Sequence, residues 1–214
     1  MKTYLFDFDG TLVDSMPHFI EGMLKILNEN NLKYPKDIVK IITPLGFLGT
    51  AQYFKKELGL RMSDQQLLEC MKENMLDAYF YTIPAKNNVE TVLKQLKKSG
   101  ASLNVLTASP HLTLDACLKR LNLFDVFDNV WSCDDFSTSK ADPNIYKQVA
   151  TKLGVSIVDV LFLDDNIHAD KTAKSAGMKV CGVFDKSSSD NVEQMKEVCD
   201  YYITDFIELL DINF

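Results

Sequence analysis

After Ile83-Pro84 the chain alternates short apolar runs with stretches of helical period, and no other feature constrains its fold so strongly. Val89, Val92, Leu93 and Leu96 line a helix that Gly100 closes, and Leu103 to Leu106 reads as the strand that follows. Asp142-Pro143 starts a helix carrying Ile145, Tyr146, Val149 and Leu153, which Gly154 stops. Val160 to Leu163 is a strand, a helix beginning near Ile167 closes at Gly177, and Lys179 to Phe184 is again a strand. Ser187-Ser188-Ser189 forms a loop before a helix with Val192 and Met195. Tyr201 to Ile203 and a final helix with Phe206, Leu209 and Leu210 complete the series. Such alternation predicts a parallel sheet with helices on both faces, an α/β doubly wound architecture.

Residues 3 to 8 form one more apolar strand, and it needs that sheet as its neighbour. The segment between is different. From about Pro17 to Tyr81 the pattern is helical, with Ile20, Met23, Leu24 and Leu27 on one stripe and Leu67, Leu68, Met71, Met75 and Tyr79 on another. Ser63 followed by Gln66 is a capping-box signature for the second helix. Thr43-Pro44-Leu45-Gly46-Phe47 breaks the pattern ahead of a shorter helix that ends near Leu58-Gly59. The expected division is therefore a core of residues 1–14 and 83–214, with a small helical domain of residues 15–82 inserted into it. The methionines of that domain (Met16, Met23, Met62, Met71, Met75) read as core filling.

Composition narrows the function. A formal charge of -7 over 214 residues, with Lys97-Lys98 as a short basic run, argues against a nucleic-acid partner, which needs a basic face. No stretch approaches the roughly 18 apolar residues of a membrane span, and the one lysine and few apolar residues ahead of Asp7 are too short to be expected to serve as a secretory h-region. Five scattered cysteines, odd in number and without C-x-x-C spacing, read as reduced buried thiols. The expectation is a soluble cytoplasmic protein without a membrane partner.

Chemistry concentrates at strand ends. Tyr4-Leu5-Phe6 leads into Asp7 and Asp9, with Gly10 allowing a sharp turn. In an extended chain Asp7 and Asp9 face the same side, and two like charges so close need a cation or a shared proton. Two readings stand for the pair by itself: acids facing water at a strand end, or a small shared site. The other strand ends supply partners, because ligands of open parallel sheets gather at carboxyl ends. Leu103 to Leu106 leads into Thr107-Ala108-Ser109, and Val160 to Leu163 leads into Asp164-Asp165-Asn166. Four carboxylates and a hydroxyl at one edge suit a hard divalent cation, magnesium above all. Lys140, just before the Asp142-Pro143 helix start, adds an ammonium.

Taken together these residues resemble the haloacid dehalogenase (HAD) superfamily over nearly the full length. Its four motifs are matched in order: Asp7 to Leu12, the strand-end Thr107, Lys140 with Pro143, and Asp164-Asp165 with Ala176-Gly177-Met178. The insertion is similar to the cap of the subfamily that includes phosphoglycolate phosphatases, sugar-phosphate phosphatases and β-phosphoglucomutase. The resemblance implies a HAD-like Rossmannoid core with a helical cap that closes over substrate. It also implies a magnesium-dependent phosphatase acting on a small phosphorylated metabolite, a sugar or organic-acid phosphate. By the same resemblance Asp7 is the nucleophile that forms an aspartyl phosphate, and Asp9 is the acid and then the base. Asp7, the Asp9 carbonyl and Asp165, with Asp164 close by, hold magnesium. Thr107, Lys140 and the backbone around Phe8, Asp9 and Ala108 bind phosphoryl oxygens. Dehalogenases of the superfamily lack a carboxylate at the position of Asp9, which favours a phosphate substrate.

Three positions depart from the pattern. Ala141 stands where a Pro commonly follows the lysine, and Ala169 stands where relatives often have Asp, Asn or Gly. Asp170, one place later, reads as a surface helix residue. Phe19 occupies the place of the cap histidine of phosphosugar mutases, with His18 one short, which counts against the mutase alternative. A noncatalytic phosphate or metal sensor, the alternative from another class, is opposed by the length, the insertion and the Asp-x-Asp-Gly-Thr setting. His18, His111 and His168 read as helix-terminus or surface residues, Trp131 as packing under the sheet edge, and Asp14-Ser15 as the start of a hinge or helix cap.

Overall fold

The structure, a computed structural model, describes residues 2–42 and 45–214, so Thr43 and Pro44 of the predicted pattern break lie outside the described residues. The chain divides into two compact units, one of Met1–Asp14 with Pro84–Phe214 and one of Ser15–Ile83.

Strand β1 spans Thr3–Phe6. The helical unit then comprises α1 (Met16–Glu29), α2 (Ile38–Ile42), α3 (Gly46–Lys56) and α4 (Asp64–Tyr81). Its interior is built from Met23, Ile26, Leu27, Phe54, Leu67, Met71 and Met75, all buried; of the predicted stripes Ile20, Leu24 and Leu68 are only half-buried, and on α1 Phe19 and Ile26 are buried instead. The predicted capping box opens α4: Ser63 Oγ accepts from the Gln66 amide at 3.2 Å, and Gln66 Oε1 accepts from the Ser63 amide at 3.2 Å. Asn74 Nδ2 donates to the Gly22 carbonyl at 3.1 Å and ties α4 to α1.

The larger unit continues with α5 (Val89–Lys98), β2 (Ser102–Thr107), α6 (His111–Arg120), β3 (Asn129–Ser132) and α7 (Pro143–Leu153). It ends with β4 (Val160–Asp164), α8 (Ile167–Ala176), β5 (Lys179–Val183), α9 (Val192–Val198) and β6 (Tyr201–Ile203). The strands make one sheet in the order β3-β2-β1-β4-β5-β6, and every neighbouring pair is parallel. The chain runs outward from β1 through β2 to β3, then resumes on the other side of β1 with β4. The gap between β1 and β4 is thus the switch point where such sheets hold ligands. One face of the sheet packs Leu5, Leu106, Phe162 and Val180 against Ile145, Tyr146 and Val149 of α7 and Ala173 of α8. On the other face Phe6 stacks on Phe206 and meets Phe127 edge-on.

Four expectations need correction. The first strand stops at Phe6 rather than running to residue 8: Leu12 and Val13 both donate their amides to the Phe8 carbonyl, which closes a turn around Asp9, Gly10 and Thr11. Strand alternation therefore does not set the geometry of Asp9. Ser187-Ser188-Ser189, expected as a loop, lies within the 3-10 helix Lys186–Asn191; Asn129–Ser132, which the sequence pattern does not set apart, is the edge strand β3, with Trp131 in it half-buried and edge-on to Phe136. The final segment Phe206–Asp211 winds as a 3-10 helix, started by an Asp205/Glu208 capping box. Asp170 is fully buried, not on the surface. Among the described residues no helix is long and apolar enough to cross a membrane.

Candidate active site

Register places the site. Phe6 pairs with Leu163 on one side and Val105 on the other, and the Asp7 amide donates to the Leu163 carbonyl at 2.8 Å. Asp7 therefore leaves β1 level with Asp164 at the end of β4, while Thr107 ends β2. The carboxylates of Asp7, Asp164 and Asp165 converge, with one oxygen from each lying within 4.8 Å of the others, and all three residues are buried.

Gly10 makes this convergence possible. Its φ is +75°, and an ideal Cβ there would stand 2.5 Å from Asp165 Oδ2, so the carboxylate occupies the space a side chain would fill. Thr11 Oγ1 donates to Asp165 Oδ1 at 3.2 Å from the same turn. Asp9 points elsewhere: its side chain lies outside the three-carboxylate group and accepts from Ser109 Oγ, at the end of β2. Thr107 is buried, and its hydroxyl accepts from the Ser109 amide at 3.1 Å. Ala108 sits exposed between them.

Lys140 reaches into the cluster from the turn before α7. Its Nζ donates to Asp7 Oδ1 and, at 2.7 Å, to Asp164 Oδ2, and it lies 5.6 Å from the centre of the Phe162 ring. With Ala141 in place of Pro, hydrogen bonds shape the turn. Tyr146 Oη donates to the Lys140 carbonyl at 3.1 Å, Asp142 accepts from the Asn144 amide at 2.9 Å, and Thr138 Oγ1 donates to Asp142 at 3.1 Å.

The electrostatics are those of a site short of positive charge. Burial works against the Lys140 ammonium, yet Asp164 and Asp7 hold its pKa well above the ordinary lysine value. Burial pushes the Asp164 carboxyl up to about 6, with Asp7 adding to the rise and Lys140 opposing it. Asp165 is raised well above the ordinary carboxylate value by burial, then by the negative charges of Asp164, Asp7 and Asp185, with Lys86 as the opposing cation. Three carboxylates share one ammonium, a donor set two charges short of neutrality and all oxygen on the acidic side. That set fits a divalent hard cation.

Sequence reasoning missed two participants. Asp185 is buried two residues after β5, and Lys86 donates to it at 3.0 Å. The strand-end rule that found Asp7, Thr107 and Asp164 points equally to Asp185 when carried to Phe184. Lys86 has no such signal, since it follows no strand. His111 opens α6 and lies between Asp115 and Asp135, each 2.9 Å away, and those hydrogen bonds, Asp115 first, raise its pKa. His168 is exposed on α8.

A parallel sheet with carboxylates, an ammonium and hydroxyls gathered at its switch point defines an α/β enzyme whose chemistry sits at strand ends. Residues 4–183 match the family model of the haloacid dehalogenase-like hydrolases, and the chain belongs to that family. Among its relatives, the pyrophosphatase PpaX of Bacillus velezensis is 27% identical over 180 residues, covering 84% of this chain and 81% of that one. The phosphoglycolate phosphatase of Psychrobacter arcticus is 24% identical over 192 residues with the same coverage. A solved structure described as a predicted phosphoglycolate phosphatase of Haemophilus somnus superposes with a TM-score of 0.84. It is 21% identical, covers 99% of this chain and 97% of that one, and shows the shared fold. By this kinship the chain stands among the family's phosphoric monoester hydrolases.

Proposed function

We propose that the protein is a magnesium-dependent phosphatase that hydrolyses a small phosphomonoester, a sugar or organic-acid phosphate, through an aspartyl phosphate. The convergence of Asp7, Asp164 and Asp165 around Lys140 at the switch point carries this reading. Asp7 attacks phosphorus: a bond forms from its carboxylate oxygen as the ester P–O bond breaks. Asp9, oriented by Ser109, protonates the departing oxygen, then takes a proton from the water that attacks the aspartyl phosphate and releases phosphate. Lys140, Thr107 and the Ala108 backbone bind phosphoryl oxygens, and Lys140 meets charge developing on them with an ammonium already held in place. Asp7, the Asp9 carbonyl, Asp164 and Asp165 would hold magnesium, whose charge reduces the repulsion between carboxylates and phosphate. A reducing compartment, the cytoplasm, suits five free cysteines.

The test follows phosphate release from a panel of small phosphoesters, with magnesium and with chelator. Turnover should require magnesium, and Asp7→Asn should lower it by about a thousandfold or more. Asp9→Asn should accumulate phosphoenzyme. Undiminished turnover in Asp7→Asn overturns the nucleophile assignment, and phosphate transfer between sugar hydroxyls without release makes the enzyme a mutase.

A further inference from the structure

Lys86 lies at the edge of the carboxylate cluster without belonging to it, and its partners sit at two different strand ends. Nζ donates to the Gly10 carbonyl at 2.6 Å, to the Phe184 carbonyl at 2.7 Å and to Asp185 Oδ2 at 3.0 Å. The Lys86 amide donates to the Leu12 carbonyl at 3.0 Å, so one residue grips the turn after β1 twice. Asp185 is fixed in its turn: Ser187 donates its amide at 2.8 Å and its hydroxyl at 2.6 Å to Oδ1. The side chain of Lys86 is 18% exposed and that of Asp185 4%, so the pair is held largely out of water.

The sheet order gives this pair its significance. Strand β4, which carries Asp164 and leads to Asp165, lies between β1 and β5. Lys86 and Asp185 link the ends of those two flanking strands. The Asp165 carboxylate rests against Gly10, where even a methyl group would collide with it, so the Gly10 backbone held by Lys86 is the floor beneath Asp165.

We propose that Lys86 and Asp185 are positioning residues that fix the Gly10 turn, and through it the Asp165 carboxylate, for a divalent cation. This rests on the magnesium reading above. An ammonium near a cation site would by itself repel the cation, but Asp185 offsets the charge of Lys86. What the pair contributes is placement, as partners behind metal ligands do. Removing both residues together leaves the net charge unchanged, so a change in cation affinity then reports position.

The experiment measures Mn2+ binding to the full chain by electron paramagnetic resonance of the free ion, with metal-free thermal melts to check folding. Lys86→Met/Asp185→Asn should bind Mn2+ about tenfold more weakly than the wild type. Ser187→Ala, which loosens Asp185 and keeps both charges, should weaken binding about two- to fivefold, and it decides the matter if the double variant does not fold. Wild-type binding shared by the folded double variant overturns the proposal and leaves the magnesium reading intact, and so does unchanged binding in a folded Ser187→Ala. A wild type that binds no Mn2+ overturns both.

Discussion

At the ends of β1 and β4, and again beneath α8, the molecule buries carboxylates, but with different partners. At the strand ends each acid has assigned company: Asp7 and Asp164 share the Lys140 ammonium, and Asp165 has the Thr11 hydroxyl. Beneath α8, Asp170 is fully buried with the Cys199 thiol 3.3 Å from Oδ2, while Oδ1 has no hydrogen-bond partner. Burial, followed by the charge of Asp164, raises its pKa well above the ordinary 3.8. The contrast teaches that burial alone does not distinguish one buried acid from another. What distinguishes them is the set of cations and donors aimed at each, because an ionised carboxylate stripped of water and partners gives up its charge by binding a proton.

The largest way to break the contrast is to make the strand-end acids resemble Asp170. Lys140→Met leaves Asp7 and Asp164 buried without their cation. In chelator, thermal unfolding should show a loss of about 3–5 kcal/mol. Turnover at saturating magnesium should fall by about 10²–10³. Next comes Gly10→Ala, which puts a methyl group against Asp165 and a side chain at φ +75°. It should cost about 1–3 kcal/mol in chemical denaturation and raise the magnesium needed for half-maximal activity.

Asp170→Asn sharpens the contrast from the other side. A carboxyl whose pKa is raised on folding holds a proton that the unfolded chain does not, so its contribution is complete below 3.8 and is lost as pH rises through the folded value. Melting temperatures of wild type and Asp170→Asn should therefore converge in acid. The variant should gain relative stability as pH rises, by at most about 1.4 kcal/mol per pH unit. A parallel pair of curves would mean that Asp170 is ionised in the native protein. The smallest effect belongs to His111, whose pKa is raised from 6.5 by Asp115 and Asp135. Its contribution is full below pH 6.5 and disappears as pH rises through the folded value, so His111→Asn should lower the melting temperature in acid and not in alkali.

Much of the carboxylate cluster could be read in advance because a parallel sheet sends its chemistry to strand ends, and those ends follow apolar runs that sequence displays openly. Asp7, Thr107 and Asp164-Asp165 are all of this kind. Lys140 was legible for another reason, its place before a Pro-started helix. The misses have physical causes. Asn129–Ser132 is short, lies at an edge and is only partly buried, so it lacks the apolar run of an interior strand. Lys86 works through backbone carbonyls, which carry no side-chain signature. Asp170 looked like surface because it is charged, although its spacing from Ile167 and Ala173 puts it on the buried stripe of α8. There the helical period was the better guide than the residue type.

The position of β1 also shapes how the protein is made. β1 is central, yet Thr3 finds its partners at Ser102 and Val160, far along the chain. At ribosomal speeds of about 5–20 residues per second, β1 emerges roughly 5–20 s before β2 and waits longer still for β4. The helices of residues 15–83 close among themselves by contacts nearer in sequence and need not wait. The nascent chain therefore carries an unpaired Tyr-Leu-Phe segment past a helical unit able to form first, and it is during that interval that β1 is most exposed to aggregation and to chaperones.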